Sequence, residues 1–278
     1  MSESNPDRTP VSPSVLTALW GPLAFLSALC GIGGGLFAVP LLHYLGAIPI
    51  KRAVATSTVL VFTLSVTGTI AEALQGRPAF IWPAIAALAA GGWAGAHVGF
   101  WASKRIDAHI VKRAFVVVLA FSAYRVFAVN SVSSLTGVAD VHALGALEVA
   151  IVALIGFAGG FIAPILGVGG GLLVVPALYL SFPAITILEA RACSVAMTIL
   201  TSGQSAWLHA RAGSVDRAPL RWLAPATVVG AVAGVVAVHQ PGWAEVARLG
   251  LGIVLIFVAA RFAWDEWAPR RPESSTQA

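Results

Sequence analysis

Charge is scarce in this chain. Asp, Glu, Lys and Arg fill 10% of its 278 positions, where a soluble globular domain carries roughly 25%. So little charge cannot cover a water-facing surface of this size, which excludes a soluble enzyme and an ordinary nucleic-acid binder. Cysteine is nearly absent as well. Cys30 and Cys193 both lie in apolar sequence, so there is no disulfide framework and no CxxC zinc spacing. None of the six histidines has a metal-ligand partner at i+3 or i+4, which argues against a metal-assisted intramembrane enzyme. A rhomboid-like protease needs a Gly-x-Ser-Gly context, and Ser202-Gly203 lacks the first glycine. A metal-ion permease needs more carboxylates or thiolates in its spans than are present. No cofactor is implied.

What is present is apolar. Hydrophobic residues make up 58% of the chain, and the mean hydropathy is +0.86. The net charge of +5 comes from basic residues set between long apolar runs. That is the pattern of a polytopic membrane protein whose cytoplasmic loops carry Lys and Arg. Apolar segments fall at about 15–49, 53–74, 79–101, 111–129, 143–182, 191–210, 219–238 and 246–264. Six have the length of one spanning helix. The first and fifth are too long: 35 residues of helix would measure about 50 Å against roughly 30 Å of hydrocarbon. Both are interrupted by glycine and then proline, as in a broken helix or a hairpin of two shorter helices. Residues 1–14 read as a polar tail and 265–278 as another.

The chain repeats itself. Gly31-Ile-Gly-Gly-Gly-Leu-Phe-Ala-Val-Pro-Leu-Leu42 matches Gly167-Val-Gly-Gly-Gly-Leu-Leu-Val-Val-Pro-Ala-Leu178 at 8 of 12 positions, with an offset of 136. Arg52-Ala-Val-Ala-Thr-Ser57 resembles Glu189-Ala-Arg-Ala-Cys-Ser194. Two halves, 15–129 and 143–264, are joined by a polar linker at 130–142. If each broken segment returns to the side it began on, three net crossings per half invert one half against the other. With a cytoplasmic N-terminus, Lys and Arg then divide 13 inside to 3 outside. If each segment crossed once, the split is 8 to 8. The positive-inside rule favours inversion. The expected fold is an all-α polytopic membrane protein of two inverted repeats, each a broken or re-entrant helical segment plus three transmembrane helices. Inverted repeats with paired interrupted segments are a transporter pattern, with the site at the repeat interface near the midplane.

The paired Gly-Ile/Val-Gly-Gly-Gly-…-Val-Pro motifs, each followed by a loop and an Ala-Val-Ala-Thr-Ser-like helix start, resemble the TauE/SafE family of sulfite exporters and related permeases. The resemblance runs from about Val15 to Trp264. It implies proton-linked or other secondary transport of sulfite, organosulfonates or other small anions, with no ATPase domain. Arg191-Ala-Cys-Ser194 stands where the first copy has Val54-Ala-Thr-Ser57, so side-chain symmetry of the site is not implied.

The candidate substrate site comprises Gly31, Gly33, Gly34, Gly35, Gly167, Gly169, Gly170 and Gly171, with Thr56, Ser57, Cys193, Ser194 and Gln204. The glycines bring backbone close to a ligand, and the helices that follow aim N–H groups at an anion. Close packing through small residues is the competing reading. The hydroxyls can donate to oxyanion oxygens or merely cap and back-bond. Thr198, Ser202 and Gln204 continue the polar face that begins at Ser194. Charged residues in spans are costly and so functional candidates. Glu72, His209 and Arg211 are assigned to gating or proton coupling, with snorkelling at a membrane boundary as the alternative. Arg52 and Arg191 sit in equivalent loops, where they attract anions to a vestibule or are simply solvated. Trp20, Trp82, Trp93, Trp101, Trp222, Trp243, Trp264 and Trp267 read as interface anchors. The function expected is a multi-pass permease of the cell inner membrane, exporting a small sulfur-containing anion, with both termini cytoplasmic. An anion channel on the same scaffold is the alternative.

Overall fold

The computed structural model describes residues 11–75, 79–102, 116, 120, 123–124, 145–166, 169–182 and 185–267. Gly167, Arg77, the linker 130–142 and nearly all of the segment 111–129 lie outside the described residues. So do most of the two polar tails. Among the described residues there are helices and no strand.

In chain order the helices are α1 (Pro13–Cys30), α2 (Gly35–Pro40), α3 (Ile50–Ala73), α4 (Trp82–Ala102), α5 (Ala146–Leu166), α6 (Gly171–Ser181), α7 (Ile187–Arg211), α8 (Leu220–Val238) and α9 (Trp243–Trp267). Five of them (α1, α3, α5, α8 and α9) are long and apolar enough to cross a membrane. The helices α4 and α7, of 21 and 25 residues, also have the length. Alanine and glycine dilute the apolarity of α4, and a polar face dilutes that of α7.

Each long segment breaks where its glycines stand. α1 begins with Pro13 in its first turn, where the missing N–H costs nothing. It ends at Gly31, whose left-handed φ of 73° lets its N–H turn back to Ala28 O at 3.3 Å. α2 then runs into a π turn at Leu41–Leu45, closed by Gly46 N–H to Leu41 O at 3.0 Å. The first segment doubles back on itself, because the Val11 N–H, just before α1, donates to Leu45 O at 3.1 Å. It is a hairpin of a long and a short arm. In the second half, α6 starts after Gly169 and Gly170, with φ of 80° and 67°. A capping box starts α7: Glu189 N–H donates to Thr186 Oγ1, and Thr186 N–H to Glu189 Oε2 at 2.8 Å.

The halves exchange partners. α1 of the first half lies along α8 of the second, and α5 lies along α4. The equivalent helices α3 and α7 pack on each other, while α2 rests on α3 and α6 on α7. Their contacts show that α3 and α7 run antiparallel: Gly68 faces Val195, and Phe62 faces Gly203. Glycine permits the closest of these approaches. A Cβ on Gly95 would lie 2.1 Å from Phe157 O, and one on Gly160 would lie 2.1 Å from Gly92 O. This is small-residue packing of the kind that joins helices in lipid. Gly95→Leu is expected to separate α4 from α5, and loss of a monodisperse peak in detergent size-exclusion would report it.

Trp20 differs from the expectation of an interface anchor. It is fully buried, and its Nε1–H donates to Thr227 Oγ1 at 2.7 Å, tying α1 to α8. Proximity to a segment end misplaces it, because α1 has no lipid on that face. Trp82, Trp93, Trp101, Trp222 and Trp243 are exposed, as anchors should be.

Candidate functional site

The two glycine breaks meet at the middle of α7. A Cβ on Gly171 would lie 2.9 Å from both Gly31 O and Ser194 Oγ, so the first turn of α6 abuts the break after α1. Ser194 Oγ–H donates to Gly31 O at 3.1 Å. One turn on, Thr198 Oγ1 is within reach of Gly169 O at 3.2 Å and of its own helix at Ser194 O, 2.7 Å. One polar face of α7 therefore holds both breaks. Both hydroxyls are fully buried.

That face continues along the helix. Arg191, Ser194, Thr198, Thr201 with Ser202, Ser205 and His209 recur at three- or four-residue steps, the spacing of one helix side. Thr201, Ser202 and Ser205 line a small cavity, with room for about one water, together with Thr58, Val61, Ala163 and Gly169. Ser205 Oγ is buried there without a hydrogen-bond partner, a cost of roughly 1–3 kcal/mol unless water or ligand meets it. Sequence reasoning passed over Thr58, Thr201 and Ser205. The step pattern of α7 carries the signal for the last two.

At the other end of the stripe is an ion pair between the halves. Arg191 is 2% exposed and donates through Nη2 to Glu72 Oε2, near the end of α3. Its Nη1 donates to Ala28 O at 3.2 Å, in the last turn of α1, and its Nε has no partner. Glu72 is 1% exposed. Its Oε1 accepts from Ala79 N–H at 3.3 Å. His239 Nε2 lies 3.0 Å from the same oxygen, outside hydrogen-bond geometry. Gly31 makes room for the pair: a Cβ there would stand 2.4 Å from Arg191 Cγ. Arg191 is thus not a loop residue but lies one turn inside α7. Glu72 is not a boundary residue that snorkels. The 119-residue separation of the two hides the pair from the sequence.

The other expected residues divide. Gly31, Gly169, Gly171 and Ser194 converge as described, and Gly33, Gly34 and Gly170 hold left-handed φ in the breaks. Gly35 opens α2 and is buried. Ser57 is buried and back-bonds to Val54 O at 2.7 Å. Thr56 Oγ1 accepts from Asp216 N–H at 2.9 Å, which pins the loop after α7. Cys193 is turned from the breaks toward Ile81 O, 4.0 Å away. Gln204 meets His97 across α4 at 3.4 Å, and its Oε1 has no partner. His209 packs edge-on to Phe100 with Nε2 unpartnered. Arg211 stacks on exposed Trp207 at 3.8 Å, a boundary arrangement, and Arg52 is exposed in the first turn of α3. Among the described residues no His/Cys/Asp/Glu group could hold a metal ion.

A helical bundle of apolar spans, with two broken segments meeting at a polar face inside it, is a pattern shared with membrane transporters. The profile of the family described as "Sulfite exporter TauE/SafE" matches residues 2–126 and 152–278, and the chain belongs to that family. It is 37% identical over 92 residues to the probable membrane transporter protein MamO of Magnetospirillum gryphiswaldense, covering 32% of this chain and 15% of MamO. To the probable membrane transporter protein YunE of Bacillus subtilis it is 33% identical over 106 residues, 38% of each chain. The matched parts thus span well under half of these relatives. No solved structure matches.

Proposed function

We propose that the chain is a secondary permease that exports a small sulfur-containing anion, such as sulfite or an organosulfonate, across the cytoplasmic membrane. The observation that carries this reading is the meeting of the two glycine breaks on one hydroxyl-bearing face of α7, where Ser194 and Thr198 reach Gly31 O and Gly169 O. Backbone at membrane depth that is not helical must be buried in protein or line a watery cavity. Here the breaks are buried in protein, and Gly169 borders the small cavity of Thr58, Thr201, Ser202 and Ser205. Ser205 Oγ–H is free to donate to an oxyanion, the Ser194 and Thr198 hydroxyls can do so by swinging from the backbone carbonyls they now hold, and Arg191 supplies the only fully buried cation among the described residues.

The test is flux into proteoliposomes of sulfite, sulfate, methanesulfonate and chloride, measured separately. Ser194→Ala removes one hydroxyl donor, worth about 0.5–1.5 kcal/mol. The half-saturating concentration of sulfite is expected to rise roughly twofold to tenfold by that arithmetic. A Ser194→Ala variant indistinguishable from wild type would remove the hydroxyl from the site.

The reading includes the topology. Two inverted halves, 15–129 and 143–264, place both termini in the cytoplasm and residues 130–142 outside. The doubling back of the first segment and the antiparallel course of α3 and α7 support it. In a variant lacking Cys30 and Cys193, a cysteine at Ser133 is expected to react with an impermeant maleimide from outside, and one at Asp216 is not. The reverse result would overturn the inversion.

A further inference from the structure

We propose that the Glu72 carboxylate is a tethered occupant of an anion seat on Arg191, which the permeating anion takes only when Glu72 accepts a proton. Anion and proton then cross together, outward when the anion's own gradient exceeds the opposing proton gradient. The proposal rests on the reading of the chain as a small-anion permease and adds its coupling.

The seat is built from both halves. The Arg191 side chain passes over Gly31, where no Cβ obstructs it. One Nη is fixed by Ala28 O, the other by Glu72, and Nε is a spare buried donor. Arg191 stands one turn from Ser194, which holds the first glycine break. A guanidinium presents a flat fork of donors that suits two oxygens of one anion. A carboxylate offers two such oxygens, and so does a sulfite or sulfonate. Inside the bundle Arg191 must have one counter-anion, because a lone buried cation is costly. Two anions on it repel. Exchange of Glu72 for a monoanion preserves the local charge only if Glu72 becomes the neutral acid at the same time.

The group placed to pass Glu72 a proton is His239 at the end of α8, which stands 3.0 Å from Glu72 Oε1 and borders the turn at Gln240–Gly242, with both ring nitrogens buried. Among the described residues the groups facing this centre are Arg191 and Cys193 from α7 and His239 from α8. Cys30 of α1 stands beside Arg191, and Glu189, engaged in the cap of α7, lies beyond Cys193. The step balances simply. Movement of the Gln240–Gly242 turn lets water reach His239, which hands a proton to a Glu72 oxygen; the Glu72–Arg191 bond is given up, and the anion forms the replacing bond to Arg191. Release reverses each transfer. One proton moves per monoanion, and no electrons do.

The experiment follows sulfite in proteoliposomes of the full chain with a trapped pH dye. Wild type is expected to accumulate sulfite on an imposed proton gradient and to move protons when sulfite is added. Its methanesulfonate-for-methanesulfonate exchange, in which the anion's own charge is fixed, should slow as pH rises equally on both sides. In Glu72→Gln, gradient-driven accumulation is expected to fall at least tenfold, and methanesulfonate exchange should lose its pH dependence. Sulfite should raise the unfolding temperature of purified Glu72→Gln more than that of wild type, because the seat has lost its tethered anion. Arg191→Gln is expected to lose accumulation and exchange together. Wild-type sulfite flux that ignores the pH gradient overturns the proposal whether or not a variant folds. So does a Glu72→Gln protein that still accumulates sulfite on a proton gradient. If wild type moves none of sulfite, sulfate, methanesulfonate or chloride, the anion-permease reading itself fails, and the coupling with it.

Discussion

Glu72→Leu is expected to destabilise the protein severely, and Glu72→Leu with Arg191→Met to restore much of what is lost. Removing one member of a buried ion pair leaves the other without its counter-charge, at a cost of about 3–5 kcal/mol. Replacing both with apolar groups of similar size removes that cost, and such swaps are often neutral. Both residues are at most 2% exposed, so solvent cannot screen the orphan. Thermal unfolding in detergent and the yield of monodisperse protein would show the order: wild type, then the double variant, then either single variant. Equal stability of Glu72→Leu and wild type would mean that Arg191 finds another counter-charge. The double variant should also be folded but unable to accumulate sulfite, which separates the pair's two duties.

Gly31→Leu is expected to abolish flux. The position fails for a side chain twice over. Its φ of +73° lies in the left-handed region that L residues avoid, and a Cβ would stand 2.4 Å from Arg191 Cγ and 3.0 Å from Arg191 Cα. Either the break or the arginine must move. Gly170→Leu should behave alike, with φ of +67° and Gly159 O at 3.0 Å from its Cβ. Gly21→Ala is the control. It lies within α1, where nothing stands within 4 Å of a Cβ, and alanine there should gain up to about 1 kcal/mol in helix propensity. Flux of Gly31→Leu at the background of empty liposomes, beside wild-type flux of Gly21→Ala, is the expected result. Full transport by Gly31→Leu would show that the first break does not face the substrate.

The glycine breaks were legible because a repeated motif at a fixed offset needs no tertiary information. The interruption of the first segment was legible through length, since 35 residues of unbroken helix exceed the hydrocarbon, while its doubling back was favoured only through the division of Lys and Arg. Side-chain direction was less so. Cys193 occupies the place equivalent to Thr56, yet one residue before Ser194 is about 100° around the helix, and this turns it to Ile81. Gln204 looked like the continuation of a polar face but points to His97 on α4. The polar stripe proper passes through Thr201, Ser202 and Ser205, and choosing between adjacent polar residues needs the phase that packing sets. The Arg191–Glu72 pair was out of reach, because its partners sit in different halves and meet only when α3 and α7 pack antiparallel. The sequence puts Arg191 in a loop and leaves Glu72 between a coupling role in its span and a membrane boundary, and their contact buries both.

The exchange of partners between the halves has a consequence for synthesis. α1 is made first, but the helix that covers its Trp20 face, α8, follows about two hundred residues later. Until then the indole N–H that will donate to Thr227 has no mate in the finished protein, and the Arg191 that will neutralise Glu72 is not yet made either. The nascent first half must wait in the bilayer as loosely associated spans, with an acidic residue awaiting its cation. Neither half is a folding unit in its own right. A gene cut within residues 130–142 should therefore yield two fragments that are degraded when produced alone and stable when produced together.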